Sequence, residues 1–214
     1  MAHPVKRFFI RLWPEPLRSL IAGQGKSRSY LLASGWARSY REKAPVTRNG
    51  EPLPWYTYPA IRFLEQRVRP ELRVFEFGAG NSTRWWAERV DHVVSREHDR
   101  DWIERIRKTL DRPNVRLEYQ PVGSDAYVAA PEDQHHVMVI DGRRRVECAR
   151  NCLEALTDDG IVIWDNSDRD QYSEGFDLLT DRGFRRLDFW GVVPGGVKEI
   201  STTLFYRERN CLGI

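Results

Sequence analysis

The sequence lacks long hydrophobic runs. No apolar stretch exceeds five residues, and Val137-Met138-Val139-Ile140 is typical. A membrane-spanning helix needs about 20 apolar residues, so we predict none in this chain. The apolar run near the start is interrupted by Arg11 and Pro14, too early for the h-region of a signal peptide, which takes about 7–15 residues. We therefore expect a cytoplasmic protein.

Cysteine is also scarce. Cys148, Cys152 and Cys211 are an odd number of thiols, and their spacing matches neither a zinc motif nor a redox motif. This argues against a disulfide framework and fits a reducing compartment. Internal repeats and low-complexity tracts are absent as well, which favours one organised unit.

The overall composition is ordinary, but the charge is unevenly distributed. The 214 residues are 41% hydrophobic and 30% charged, as in a globular protein. Residues 1–49 contain ten basic and two acidic side chains, a net charge of +8, and the other 165 residues carry −5. We interpret residues 1–53 as a basic helical extension that covers the core, and residues 54–214 as the main domain. Contact with an anionic membrane surface, with nucleic acid or with a second copy in a homodimer stays open for the extension.

Short apolar segments alternate with amphipathic ones from residue 59 onward. Helices are predicted near residues 61–68, 82–90, 101–110, 145–156 and 172–180, and strands at 72–77, 92–96, 115–119, 136–140, 161–164, 184–190 and 202–206. This alternation predicts an α/β fold with a mostly parallel sheet and helices on both faces. Right-handed crossovers place the carboxyl ends of the parallel strands at one edge, where ligands bind.

A glycine turn follows the first predicted strand. It reads Glu76-Phe77-Gly78-Ala79-Gly80-Asn81-Ser82-Thr83. Thr83 stands where a dinucleotide-binding motif has its third glycine, which disfavours a nicotinamide oxidoreductase. Glu97 ends the second strand, 21 residues after Glu76, and an acid at that position is placed to bind two ribose hydroxyls. His98 follows it, whereas His135-His136 begins a strand and lies at the opposite edge.

A set of oxygen ligands follows the fourth and fifth strands. Asp141 comes directly after the fourth, and Asp165-Asn166 after the fifth. These side chains are predicted to meet at the ligand-binding edge, where carboxylate and amide oxygens suit Mg²⁺. The alternative is that the two aspartates only cap helices or close turns.

Four segments together resemble class I S-adenosylmethionine-dependent methyltransferases. They are Val74–Thr83, Val93–Asp99, Val139–Arg145 and Ile161–Asn166, within a resemblance that covers about residues 54–207. It implies a Rossmann-like, seven-stranded sheet with an antiparallel last strand. It implies S-adenosylmethionine as cofactor, with the ribose on Glu97 and the adenine near Gly123–Ala126. The cofactor-binding residues are then Glu76, Gly78, Gly80, Asn81, Ser82, Glu97, His98, Asp125 and Asp141.

The set Asp141, Asp165 and Asn166 is similar to the metal ligands of catechol and caffeoyl-CoA type O-methyltransferases. The resemblance implies that these three residues are catalytic and bind Mg²⁺. Those enzymes commonly carry a lysine base three residues after the first aspartate, where this chain has Arg144. Arginine stays protonated and cannot act as a base, so Asp141 or metal-assisted ionisation is left for that role. Arg143–Arg145 are either solvated or bind a phosphate or carboxylate of the substrate.

The predicted function is methyl transfer to a hydroxyl of a small-molecule or glycan acceptor. Nucleic-acid methylation is the first alternative. Against it, the main domain is acidic, it has no Asn-Pro-Pro-Tyr signature, and no cysteine directly follows strand four or five. We therefore expect no nucleic-acid partner. The second alternative is a non-catalytic module that binds S-adenosylmethionine.

Overall fold

The computed structural model of this chain describes residues 30–214. Most of the predicted extension of residues 1–53 lies outside the described residues. The helices are α1 Tyr30–Ala33, α2 Trp36–Glu42, α3 Tyr58–Glu65, α4 Asn81–Ala87, α5 Arg100–Arg107, α6 Asp125–Val128, α7 Arg145–Cys152 and α8 Ser173–Asp181. The strands are β1 Arg73–Phe77, β2 His92–Glu97, β3 Val115–Tyr119, β4 His135–Ile140, β5 Leu156–Asp165, β6 Arg185–Gly191 and β7 Ile200–Tyr206.

The strands form one seven-stranded sheet in the order β3-β2-β1-β4-β5-β7-β6. The pairs among β1 to β5 are all parallel. Strand β7 is inserted between β5 and β6 and runs antiparallel to both. The predicted mostly parallel sheet with an antiparallel last strand is therefore confirmed.

Helices cover both faces of the sheet because the strands are apolar on both sides. On one face, valines and isoleucines of the central strands pack against α3 and the paired tryptophans Trp85 and Trp86 of α4. On the other face, Phe75, Phe77 and Trp164 pack against α7 and α8. Side chains alternate between the two faces along a strand. Glu76 stands between Phe75 and Phe77 in the sequence, so it projects to the face opposite theirs, the one covered by α4.

The segment before residue 54 packs onto the sheet domain where the structure describes it. The indole Nε1 of Trp36 donates to the carbonyl of Gly196 at 2.6 Å. The amide of Asn81, at the start of α4, donates to the carbonyl of Pro45 at 2.8 Å. Val46 and Leu53 are buried. This part of the predicted extension therefore contacts the glycine-turn region directly.

Two elements begin three or more residues before their predicted start. Helix α3 begins at Tyr58, three residues earlier than predicted, because Pro59 lies in its first turn, where a missing amide proton carries no penalty. Strand β5 begins at Leu156, in a stretch assigned to a helix end and turn. His135 pairs with Leu156, and a register shift then separates this pair from the regular ladder that starts at Val137.

The three cysteines are buried and free. Within residues 30–214, no helix combines the length and the apolar character that a membrane crossing requires.

Candidate functional site

A cavity of about 510 Å³ opens at the carboxyl edge of the sheet, at the ends of β1, β2, β4 and β5. Most of the predicted site residues line it, although they come from four separate parts of the chain. They are Gly78, Gly80, Asn81, Ser82, Glu97, His98, Asp141 and Asn166. The parallel strands bring these residues together as the topology predicts.

Three predicted site residues do not line this cavity. Glu76 and Asp165 are buried beneath it. Asp125 begins α6 with its side chain in solvent, 3.9 Å from the guanidinium of Arg144. His135 and His136 lie at the opposite edge, where His136 Nδ1 accepts from the amide of Arg73 at 3.0 Å.

The two glycines of the turn differ in what surrounds them. Gly78 has φ of 104°, and a Cβ there would lie 2.9 Å from the carbonyl oxygen of Asp141. Gly80 has an extended backbone, and a Cβ there would meet no protein atom within 4 Å. Gly78 is thus required by the fold, whereas Gly80 leaves open space in the cavity.

This contrast predicts different effects on stability. Gly78→Ala should lower the free energy of unfolding by about 1–3 kcal/mol, because it strains the backbone and crowds β4. Gly80→Ala should change it by less than about 0.5 kcal/mol. Urea unfolding of both variants tests the pair, and equal losses would contradict the assignment.

Glu76 supports the glycine turn from below. Its Oε2 accepts from the hydroxyls of Thr83 and Ser95, both at 2.7 Å. Thr83 Oγ1 accepts in turn from the amide of Gly80 at 3.0 Å. Burial raises the pKa of Glu76 to about 7, against the hydroxyl hydrogen bonds that lower it. Glu76 therefore positions the turn rather than contacting the cavity.

The raised pKa predicts a pH dependence of stability. The folded state holds a proton on Glu76 up to about pH 7, whereas the unfolded state releases it near pH 4.5. The stability from this group is therefore complete below pH 4.5 and is lost as the pH rises through 7. Glu76→Gln should reduce the loss between pH 5 and pH 8 by about 2–3 kcal/mol in urea unfolding. Glu71→Gln, at an exposed position, serves as control, and parallel wild-type and Glu76→Gln curves would refute the prediction.

Glu97 is fixed by backbone amides on two sides. Its Oε2 accepts from the amide of Ala79 at 3.1 Å. Its Oε1 accepts from the amides of His98 and Asp99 at 2.7 and 2.9 Å. With two amide donors on Oε1 and one on Oε2, this carboxylate keeps accepting capacity on Oε2, and its side chain lines the cavity. The site thus holds a rigid acceptor of hydrogen bonds beside the glycine turn.

The cavity also has walls that the sequence analysis did not assign to the site. Lys43, Ala44 and Pro45 contribute one wall from upstream of the predicted domain boundary. Trp55 contributes another, fixed by a hydrogen bond from its indole to the Pro194 carbonyl at 2.9 Å. Trp102 of α5 lies across the glycine turn and donates to the Ala79 carbonyl at 2.7 Å. Trp55 and Trp102 are both exposed in the structure, and no pattern in the sequence indicates that they reach the site.

Arg145 lies at the centre of the predicted metal-ligand set. Its Nη2 is 3.0 Å from Asp141 Oδ1 and 3.4 Å from Asn166 Oδ1. Its Nη1 donates to the backbone carbonyl of Asp165, and its Nε donates to the carbonyl of Gly142 at 3.0 Å. The guanidinium is buried. A fixed positive charge therefore stands among the oxygens that were predicted to hold a cation.

The donor set does not fit a bound Mg²⁺ ion. The carboxylate of Asp165 accepts from Thr202 Oγ1 at 2.8 Å, and the Asn166 amide oxygen accepts from Arg169 at 3.0 Å. Burial and the neighbouring Asp141 carboxylate raise the pKa of Asp165 well above its usual range. The buried guanidinium of Arg145 already occupies the position among these oxygens that a cation would take, and its positive charge opposes cation binding. No cluster of three His, Cys, Asp or Glu residues suited to a metal occurs in the described part of the chain.

Of the two aspartates in the predicted metal-ligand set, Asp141 is the one that lines the cavity. Its Oδ1 is held by Arg145, and within residues 30–214 its Oδ2 has no hydrogen-bond donor. Burial raises the pKa of Asp141, and the guanidinium of Arg145 opposes this effect. The arrangement gives an oriented carboxylate with one oxygen free toward a ligand.

Comparison with known proteins gives matches by structure only. No family model matches the sequence, and no curated protein matches it. A precorrin-6y C5,15-methyltransferase from Geobacter metallireducens has a TM-score of 0.55 at 15% identity, over 70% of this chain and 88% of that chain. An rRNA methylase from Streptococcus thermophilus has a TM-score of 0.53 at 16% identity, over 70% of this chain and 97% of that chain. A SAM-dependent O-methyltransferase from Thermotoga maritima has a TM-score of 0.51 at 14% identity, over 72% of this chain and 66% of that chain.

These structures define the class of fold. The chain has the Rossmann-like fold of class I methyltransferases, with a mixed seven-stranded sheet. One of these proteins is named for a precorrin, one for rRNA and one only as an O-methyltransferase, so the fold leaves the acceptor open.

Proposed function

We propose that this protein transfers a methyl group from S-adenosylmethionine to a hydroxyl group of a small-molecule or glycan acceptor. The observation that carries the proposal is the Glu97 carboxylate. It ends β2, is held by three backbone amides and lines a cavity beside a glycine turn. That placement suits the two hydroxyls of a ribose.

The residues around the cavity fit S-adenosylmethionine. The open space at Gly80 lets a ligand approach the backbone where a Cβ would project. Trp102 offers an aromatic surface for the adenine, and Glu97 offers a charged acceptor for the ribose hydroxyls. The volume of about 510 Å³ lies in the range of small-molecule sites.

The bound cofactor would supply a methyl group already activated on a sulfonium. The chain then has to orient the acceptor hydroxyl and remove its proton. In our proposal Asp141 Oδ2 accepts that proton, while Arg145 holds Oδ1 in place. The acceptor oxygen forms the new C–O bond as the methyl–sulfur bond breaks, and the products are a methyl ether and a neutral thioether. Asp165 and Asn166 hold Arg145 in position, and Asn166 also contacts Arg169 in the loop that follows β5. No step of the proposed reaction uses a metal.

Calorimetry with S-adenosylhomocysteine tests the cofactor part of the proposal. We expect one site per chain in the wild-type protein. Glu97→Ala should weaken binding between about 10- and 100-fold, because it removes charge-assisted hydrogen bonds worth about 1.5–3 kcal/mol. Glu104→Ala on α5 removes an exposed carboxylate and should leave the affinity unchanged. Unaltered affinity in Glu97→Ala would sink the ribose assignment, and no binding by wild-type protein would sink the methyltransferase proposal.

The acceptor part needs a separate assay. We expect formation of S-adenosylhomocysteine with hydroxyl-bearing small molecules and no dependence on added Mg²⁺. The +8 charge of residues 1–49 supports nucleic-acid methylation as the second candidate. That alternative predicts tight RNA or DNA binding that weakens steeply with salt, and methyl incorporation into the nucleic acid.

A further inference from the structure

A second cavity, of about 330 Å³, adjoins the candidate active site. The two cavities share Gly142, Arg143, Arg145 and Arg169. Neither Glu97 nor any residue of the glycine turn lines the second cavity. It therefore extends away from the region assigned to the cofactor and toward the start of α7.

The second cavity is strongly basic. Four arginines and one glutamate line it. Arg144 and Glu147 neutralise each other through two hydrogen bonds of 2.8 and 2.6 Å, and Arg145 is paired with Asp141. Arg143 and Arg169 remain, and within residues 30–214 neither is paired with a carboxylate.

These two arginines lie in the part of the wall that both cavities share. Within the described residues, the side chain of Arg143 makes no hydrogen bond. Arg169 donates only to neutral oxygens, at 3.0 Å to Asn166 Oδ1 and at 3.5 Å to the Tyr172 hydroxyl. Guanidinium groups recognise phosphate and carboxylate through paired N–H donors. The first turn of α7, which also lines the cavity, adds partial positive charge.

We infer that the second cavity binds an oxyanion group, phosphate or carboxylate, of a small acceptor molecule whose hydroxyl reaches Asp141. This inference rests on the proposed function, because it assigns the acceptor to the side of the active site opposite the cofactor. Arg143 and Arg169 are then the residues that select an anionic acceptor over a neutral one. The acceptor class narrows to hydroxylated phosphate esters and hydroxy acids.

The test is calorimetric titration of the full chain with inorganic phosphate and, separately, with acetate, at saturating S-adenosylhomocysteine. The double variant Arg143→Gln/Arg169→Gln is compared with Arg105→Gln/Arg182→Gln, which removes the same charge at exposed positions outside both cavities. We expect saturable binding of at least one anion by wild-type protein. The site variant should lose about tenfold in that affinity, and the control less than about twofold. The anion that shows this dependence identifies the group.

Four results would overturn the inference. They are no saturable binding of either anion, equal losses in both double variants, a tenfold loss of S-adenosylhomocysteine affinity in the site variant, and arginine-dependent binding of an RNA oligonucleotide more than 100-fold tighter than phosphate. The third would mean that the arginines bind the cofactor, and the fourth that they contact a polynucleotide. Absence of S-adenosylhomocysteine binding by wild-type protein would contradict the proposed function instead.

Discussion

Asp141→Asn is expected to lower the turnover number for methyl transfer by about 10²–10⁴-fold, the range that a general base contributes. The amide keeps the size of the side chain and retains an oxygen for Arg145, but it cannot accept the hydroxyl proton. The measurement is initial-rate formation of S-adenosylhomocysteine with an acceptor identified in the hydroxyl assay, across pH 6 to 9.

The control for this prediction is Asp170→Asn, which removes an exposed carboxylate that lines neither cavity. Its turnover should stay within about twofold of wild type. Calorimetry with S-adenosylhomocysteine should show that the Asp141→Asn site is intact. Full turnover with intact cofactor binding would remove Asp141 from the mechanism.

Arg145→Met is expected to lower the free energy of unfolding by about 3–5 kcal/mol at pH 8, because it strands buried oxygens without their cation. The carboxylate of Asp141 and the carbonyls of Asp165 and Gly142 all lose a donor. The variant should also gain a pH dependence. Without the guanidinium, the folded-state pKa of Asp141 rises further above its unfolded value, so stability is retained at low pH and lost as the pH rises.

Urea unfolding at pH 5 and pH 8 measures both parts of this prediction. Arg150→Met on the same helix is the matched control, since Arg150 pairs with Glu174 between exposed side chains. Such a surface pair contributes about 0–1 kcal/mol. A difference from wild type that is the same at both pH values would contradict the electrostatic explanation, and a stable variant would contradict the structural role of Arg145.

The fold was predictable because its signals are local. Each strand is a short apolar run bounded by turn residues, and every predicted strand appears in the sheet within a few residues of its expected limits. The early part of β5 was missed because its pairing to β4 uses a register shift at His135, which no local pattern encodes. The antiparallel position of β7 came from family resemblance rather than from periodicity.

The site was predictable only in part. Residues that directly follow strands, such as Glu97 and Asp141, converge because topology alone places them at one edge. The sequence analysis did not recognise that the guanidinium of Arg145 lies among the oxygens of Asp141 and Asn166. Its position depends on the side-chain conformation at the start of α7. Its spacing of four residues from Asp141 was the available signal. Lys43–Pro45 and Trp102 reach the cavity through tertiary contacts, which the sequence does not display.

The wall formed by Lys43, Ala44 and Pro45 has a thermodynamic consequence. A ligand in the cavity contacts a segment that is joined to the glycine turn through the hydrogen bond between Asn81 and Pro45. Occupancy of the cavity and local folding of residues 43–45 are therefore linked equilibria, and each raises the population of the other. Substitutions there change affinity without altering any group that takes part in the reaction.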